Sequence, residues 1–233
     1  MKFIKYQSRF AAGVLLVKFL KNKSEQLYNF ISESKEKVFC FAIPNGGVPV
    51  TEGFCSVLKL NYNILIVRKI KIPYNTEAGF GAVTTDGTIL INQALLSQLN
   101  LSEKAINDSI ELTKEDIKAR LKLYNKEMSS ERLNEQKIKN KIIFILDDGL
   151  ASGFTMLAAI KMIKKYKPDK IFIAVPTAPL RTIRKLQAEV VKIYCPNIRE
   201  VMWFAVADAY KNWYDVSESE VKELLKNSKY YIN

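Results

Sequence analysis

The residues best placed to do chemistry together are Asp147 and Asp148, followed at once by the small and hydroxyl-bearing residues Gly149, Ala151, Ser152, Gly153 and Thr155. Adjacent carboxylates hold hydroxyl groups or a hard cation. A turn of small residues that opens a helix presents unpaired N–H groups and the positive end of the helix dipole, which favour an anion. Side by side, the two features would repel a phosphorylated ligand unless the carboxylates engage hydroxyls or a cation. A sugar phosphate with free ribose hydroxyls, together with Mg2+, suits both halves. The pattern is not a Walker loop, because no Gly-Lys-Ser/Thr follows, and it lacks the G-x-G-x-x-G dinucleotide spacing.

Local patterns say what must position these residues. Ile142 to Leu146 is an unbroken apolar run, which suits a strand covered on both faces. Met156, Leu157, Ile160 and Ile163 then fall at helical spacing, so the acids sit at the turn of a strand-loop-helix unit. A second such unit runs from the strand Lys37–Ile43 through the breaker Pro44-Asn45-Gly46-Gly47 to the helix Val48–Lys59. Its adjacent glycines let backbone N–H groups approach an anion directly. Asn63–Val67 reads as a third strand that ends in the cations Arg68, Lys69 and Lys71, with a Gly-bearing loop after it. Residues 82–92 alternate around Asp86-Gly87, the sequence of a two-residue hairpin turn.

Elsewhere Tyr6–Leu20 predicts a helix with Phe10, Gly13, Val14, Val17 and Leu20 on its buried stripe. A long helix is expected from Ser102 to Met128, followed by a polar linker. Lys170–Val175 and Val190–Cys195 add strands, and Pro179 stands near the start of a helix. Ser217 with Glu220 spells a capping box for a last helix. Strands alternating with helices argue an α/β fold with a central, mostly parallel sheet whose ligands gather at the carboxyl edge.

The stretch LDDGLASGFT resembles the phosphoribosyl-pyrophosphate loop of the type I phosphoribosyltransferases. That resemblance implies ribose hydroxyls on Asp147 and Asp148. It implies a 5-phosphate on Ala151, Ser152, Gly153, Phe154 and Thr155, with Ser152 where the family more often has Thr. IPNGGVPV is similar to the P-R-G-G-V-P-V loop of a little-characterised branch, which assigns Asn45, Gly46 and Gly47 to pyrophosphate, with Asn45 in place of Arg. The segment from Arg68 resembles R-K-I-x-x-P-x-N-x-E, matching at Pro73, Asn75 and Glu77, and implies a mobile cover over residues 68–92. Arg68, Lys69 and Lys71 are then the catalytic cations that stabilise the leaving diphosphate. YQSRFAAG resembles the F-x-D-R-x-x-A-G opening, with Ser8 for Asp, and makes Arg9 either a structural ion-pair partner or a group facing the acceptor. Residues 198–233, with Phe204, Tyr210, Trp213 and Tyr214, correspond to a small hood, or else to aromatic packing in the core. The implied reaction joins phosphoribosyl pyrophosphate to a small nitrogenous acceptor through an oxocarbenium-like transition state. Mg2+ is held through the substrate, with Asp147 and Asp148 as the carboxylates within its reach. Where family members use 6-oxopurines, an Asp occupies the position of Ala151.

Composition bounds the rest. With 233 residues and 48% hydrophobic content, the chain can bury a full core as one domain. It contains no histidine, which removes His-based acid/base, nucleophile and metal chemistry. Its three scattered cysteines read as buried free thiols. No apolar stretch reaches the roughly 20 residues of a spanning helix, so a cytoplasmic protein without membrane contact is expected. The net charge is +12, yet the most charged segment, residues 102–141, holds ten Lys/Arg against eight Asp/Glu and is a solvated helical face. Attraction to polyanionic small substrates explains the excess as well as RNA would. A noncatalytic regulator that senses phosphoribosyl pyrophosphate and binds nucleic acid stays open, as does a nucleoside-phosphate hydrolase or phosphorylase. A homodimer is compatible with these features.

Overall fold

In the computed structural model, which describes residues 3–124 and 131–232 and omits the side chains of residues 76, 77 and 131–134, the apolar runs form a parallel sheet. The chain opens with α1 (Arg9–Lys23) and α2 (Glu25–Glu33), then β1 (Val38–Ala42), α3 (Gly47–Leu58) and β2 (Tyr62–Ile64). Next come β3 (Val67–Ile72), β4 (Asn75–Thr84) and β5 (Ile89–Ile91), the short α4 (Gln93–Leu96), the long α5 (Glu103–Leu123) and α6 (Glu131–Ile138). The second half adds β6 (Ile142–Leu146), α7 (Phe154–Lys165), β7 (Lys170–Ala174), β8 (Thr177–Pro179), α8 (Leu180–Leu186), β9 (Lys192–Tyr194), β10 (Asn197–Arg199) and α9 (Glu218–Asn227).

The main sheet has the order β2-β1-β6-β7-β9, parallel at every pairing, with β6 in the middle. Ile142, Phe144 and Leu146 join the core under α1 and α3, while Ile143 and Ile145 join the core under α7 and α8. All five are buried, which is why the run shows no polar alternation. Each such side chain contributes roughly 1.5–3 kcal/mol relative to exposure, so β6 is held firmly at the centre. The loops that follow β1 and β6 therefore emerge side by side at the carboxyl edge.

Several expectations need correction. The third strand is two: β2 stops at Ile64, and Val67 begins β3 in a separate antiparallel sheet, β3-β4-β5. The Thr85 hydroxyl takes the Ile66 N–H and donates back to the Ile66 carbonyl, which turns the chain out of the main sheet. Arg68, Lys69 and Lys71 thus lie within a strand rather than at its end. The hairpin turn is also longer than two residues. The Thr84 N–H bonds to the Thr88 carbonyl across Thr85, Asp86 and Gly87, with Gly87 at φ 81°, the three-residue turn in which glycine takes the left-handed position.

Helix α1 buries Arg9, Ala12, Gly13, Leu16, Val17 and Leu20, and Phe10 is 45% exposed, so the stripe is rotated from the expected one. Thr177–Pro179 pairs with β10 as a strand, and Pro179 stands at the start of α8 as its N-cap, where the sequence placed it. Part of the expected polar linker is α6, fixed by the buried Ile138. Helix α5 ends at Leu123, while Met128 and the side chain of Glu77 lie outside the described residues. The Ser217–Glu220 capping box is present, and all three cysteines are buried and free. Among the described residues no helix is long and apolar enough to cross a membrane.

Candidate active site

Asp147 and Asp148 stand at the carboxyl end of β6 and differ in their surroundings. Asp148 Oδ2 accepts from Arg9 Nε at 2.8 Å, with 6% of the arginine side chain and 15% of the aspartate side chain exposed. Arg9 also donates to the Tyr214 carbonyl at 2.9 Å, and its guanidinium lies 4.1 Å from the centre of the Trp213 ring. Arg9 is therefore a structural partner of the acid pair, held by the C-terminal segment. Tyr210 adds a hydrogen bond to the Asp148 carbonyl at 2.7 Å. Asp147 has no such cation. Its Oδ1 accepts the Asp148 N–H at 2.8 Å, but burial first, and the Asp148 charge second, push its carboxyl well above the usual range. Burial raises Asp148 too, and Arg9 offsets part of that rise.

The turn after β1 packs directly on this pair. A β-carbon on Gly46 would overlap the Asp148 carboxylate, and one on Gly47 would lie 2.9 Å from the Leu146 carbonyl and 3.2 Å from Asp147 Oδ1. Only glycine allows such an approach. The Gly47 N–H is taken by the Ile43 carbonyl at 3.1 Å, so the loop offers the Asn45 and Gly46 N–H groups, which have no partner among the described residues. The Pro44–Asn45 peptide is cis. The Asn45 side chain faces the protein: Nδ2 donates to the Val216 carbonyl at 2.9 Å, and Oδ1 accepts from Arg120 and Tyr124, each at 3.4 Å.

The turn after β6 is the more open of the two. Gly153 caps α7 at φ 74° without a side-chain hydrogen bond, while Ser152 Oγ accepts from the Phe154 N–H at 3.3 Å. Ala151 and Ser152 are exposed, Gly153 is buried, and Phe154 and Thr155 are half-buried. Thr182 of α8 donates to the Ala151 carbonyl at 2.6 Å and fixes the loop from below. Apart from the Phe154 N–H, the first-turn N–H groups of α7 have no partner within the helix, and a helix N-terminus of this kind stabilises an anion.

Residues 17–212 match the phosphoribosyl transferase domain family. The chain belongs to that family. Two Mycobacterium tuberculosis proteins, MT0597 of strain CDC 1551 and Rv0571c of strain H37Rv, are named provisionally as phosphoribosyl transferases. Both are 28% identical over 196 residues, which is 82% of this chain and 42% of theirs. The chain thus spans less than half the length of these relatives. The crystal structure of the protein TT1426 from Thermus thermophilus covers 95% of this chain and 97% of its own at 22% identity, with a TM-score of 0.71, and shares the fold.

Within this phosphoribosyl transferase domain, the expected catalytic cations lie to one side of the acids. Arg68, Lys69 and Lys71 line a groove of about 590 Å3 between β3 and α5, opposite Asp108, Thr113 and Asp116. Arg68 Nε pairs with Asp116 Oδ2 at 2.5 Å, and Asp116 also faces Arg120, which reaches Asn45. Arg68 is therefore linked to the β1–α3 loop, whereas Lys69 and Lys71 are exposed farther along the groove wall. The sequence reading missed Arg120, Tyr124 and Glu218. Only the Asp116–Arg120 helical spacing hinted at them.

Among the described residues no three acidic or sulfur ligands converge. Two adjacent carboxylates, one of them paired with Arg9, are oxygen donors of the kind a hard cation such as Mg2+ takes.

Proposed function

We propose that this chain is a phosphoribosyltransferase that binds phosphoribosyl pyrophosphate with Mg2+ and transfers the phosphoribosyl group to a small nitrogenous acceptor. The observation that carries this reading is the convergence of the β1–α3 and β6–α7 loops on Asp147 and Asp148. In this reading Asp147 and Asp148 hold the ribose hydroxyls, and the Ala151–Thr155 backbone cradles the 5-phosphate. The Asn45 and Gly46 N–H groups face the diphosphate, with Arg68, Lys69 and Lys71 closing from the groove. The C1–oxygen bond breaks with its electron pair going to diphosphate, the acceptor nitrogen bonds to C1, and the acceptor proton leaves to solvent. Mg2+, when bound, supplies charge neutralisation of the leaving diphosphate. The protein contributes orientation and preorganised donors rather than a covalent nucleophile.

Ala151 narrows the acceptor. An exposed methyl there cannot exchange a proton with a purine ring nitrogen, and positioned acid/base assistance is worth about 100- to 10,000-fold. A screen of nucleobases with phosphoribosyl pyrophosphate and Mg2+, read by pyrophosphate release, is expected to find turnover with a base other than a 6-oxopurine. Efficient use of guanine or hypoxanthine would overturn the acceptor assignment and direct the search for a base to Glu77 or to the exposed Asp208. Ribose 5-phosphate release that needs no base would replace transfer by hydrolysis.

A further inference from the structure

The loop that faces the diphosphate in the proposed reaction, Pro44-Asn45-Gly46-Gly47, carries no charged side chain, and its glycines back onto two carboxylates. A diphosphate placed there needs a cation. Arg9 is committed to Asp148, to the Tyr214 carbonyl and to the Trp213 ring. The guanidinium that reaches the loop comes from α5. Arg120 Nη1 lies 3.4 Å from Asn45 Oδ1 and 2.7 Å from Glu218 Oε1, and its Nε lies 3.4 Å from Asp116 Oδ1.

Three features fit this arginine to a ligand as well as to the fold. Its side chain is 18% exposed, so it is mostly enclosed yet still meets solvent. A guanidinium has five N–H donors in a planar fork, and of the Arg120 contacts with Glu218, Asp116 and Asn45 only the first is shorter than 3 Å, with the Tyr124 hydroxyl as a further partner. Its contacts at Asp116 and Asn45 are long, whereas a phosphate accepts two parallel N–H bonds at shorter range.

We propose that Arg120 is a binding residue for the leaving diphosphate, presented to the Asn45–Gly47 loop from α5 and released toward the ligand from Asp116 and Glu218. This rests on the phosphoribosyltransferase reading. Arg68 shares Asp116, so a ligand that draws Arg120 away leaves that carboxylate to Arg68 and tightens the cover strand.

The experiment measures affinity for Mg2+–phosphoribosyl pyrophosphate and for ribose 5-phosphate, with circular dichroism as a check on folding. Arg120→Gln is expected to weaken the first by roughly 10- to 100-fold, the range for a hydrogen bond to a charged group, and to leave the second nearly unchanged. Asn45→Arg in that background should restore much of the loss. Glu218→Gln removes a competitor, so diphosphate affinity should hold or rise. If Arg120 only bridges to Glu218, both Gln variants weaken both ligands alike, and that result overturns the proposal. Equal binding by wild type and Arg120→Gln overturns it too, while sparing the proposed reaction. Wild-type protein that binds neither ligand overturns both. Should Arg120→Gln fail to fold, Glu218→Gln still decides, because weakened diphosphate binding in that variant contradicts the proposal.

Discussion

Asp148 makes an ion pair with the buried Arg9, whereas the Arg9 charge only partly offsets what raises Asp147, so the two carboxylates act on stability in different ways. Replacing Asp148 with Asn leaves the Arg9 guanidinium buried without its counter-charge. Breaking a buried pair from one side costs about 3–5 kcal/mol. The Tyr214 carbonyl and the Trp213 face still hold Arg9, so about 3 kcal/mol, the lower end of that range, is expected in a denaturant titration of Asp148→Asn. Asp147→Asn should do the reverse at neutral pH. A carboxyl whose folded value is raised binds its proton more tightly in the fold than in the unfolded chain. The stability this brings is complete below the unfolded value near 3.8 and is lost as pH rises through the folded value. Above that point the wild type carries an ionised, half-buried Asp147, while the amide of the variant carries no charge. Asp147→Asn is therefore expected to melt higher than wild type at pH 7.5, with the gain shrinking toward pH 4. A variant that melts lower at pH 7.5, or whose gain ignores pH, would refute this account.

At the scale of elements, the β4–β5 hairpin is anchored rather than free at its Asp86-Gly87 turn. Tyr166 donates to Asp86 Oδ2 at 3.1 Å, and Lys165 donates to Thr88 Oγ1 at 2.5 Å. Both partners sit at the C-terminal end of α7, about 18 Å or more along the helix from Gly153 at 1.5 Å per residue. The Pro73-Tyr74 end is more open, with Tyr74 68% exposed and its hydroxyl 3.4 Å from the Leu99 carbonyl. Burial alone would raise Asp86, but hydrogen bonds from Thr88 and Thr84 and the Lys165 charge outweigh it and hold the carboxyl below its ordinary value. A depressed carboxylate stabilises the fold above its unfolded value, and that contribution is lost as pH falls through the folded one. Asp86→Ala should thus cost about 1–3 kcal/mol at neutral pH and converge on wild type in acid. An equal loss at pH 7 and pH 3 would count against it.

The parallel sheet and both loops could be read from the sequence because apolar runs and glycine breakers act on their immediate neighbours. The turn that sends β3 into its own sheet could not. It depends on Thr85, 19 residues from Ile66. The same holds for the site. Asp147 and Asp148 announce themselves by adjacency, whereas Arg9 meets Asp148 across 139 positions and Arg120 meets Asn45 across 75. Contacts of that range leave no local period to read.

Taken as a whole, segments far apart in the sequence meet beside the acid pair. The bridge between Tyr6 and Tyr210 brings the start of α1 to the segment that holds Arg9, and Val216 receives the Asn45 side chain. A ligand spanning both loops therefore stabilises contacts between residues far apart in the chain, and its binding should be visible as global stability. Saturation at 100 times Kd adds about 2.7 kcal/mol, or about 5–10 °C in a domain of this size. The net charge of +12 allows a rival source of stabilisation, because any polyanion is attracted to such a surface. Salt separates the two. Nonspecific nucleic-acid binding falls steeply with ionic strength through counterion release, whereas a ligand held by short-range hydrogen bonds and half-buried carboxylates is screened less. Mg2+–phosphoribosyl pyrophosphate is expected to raise Tm at both roughly 50 mM and roughly 200 mM salt, and single-stranded RNA only at the lower. If the RNA shift survives at the higher salt while the phosphoribosyl pyrophosphate shift vanishes, the basic surface rather than the acid pair is the binding site.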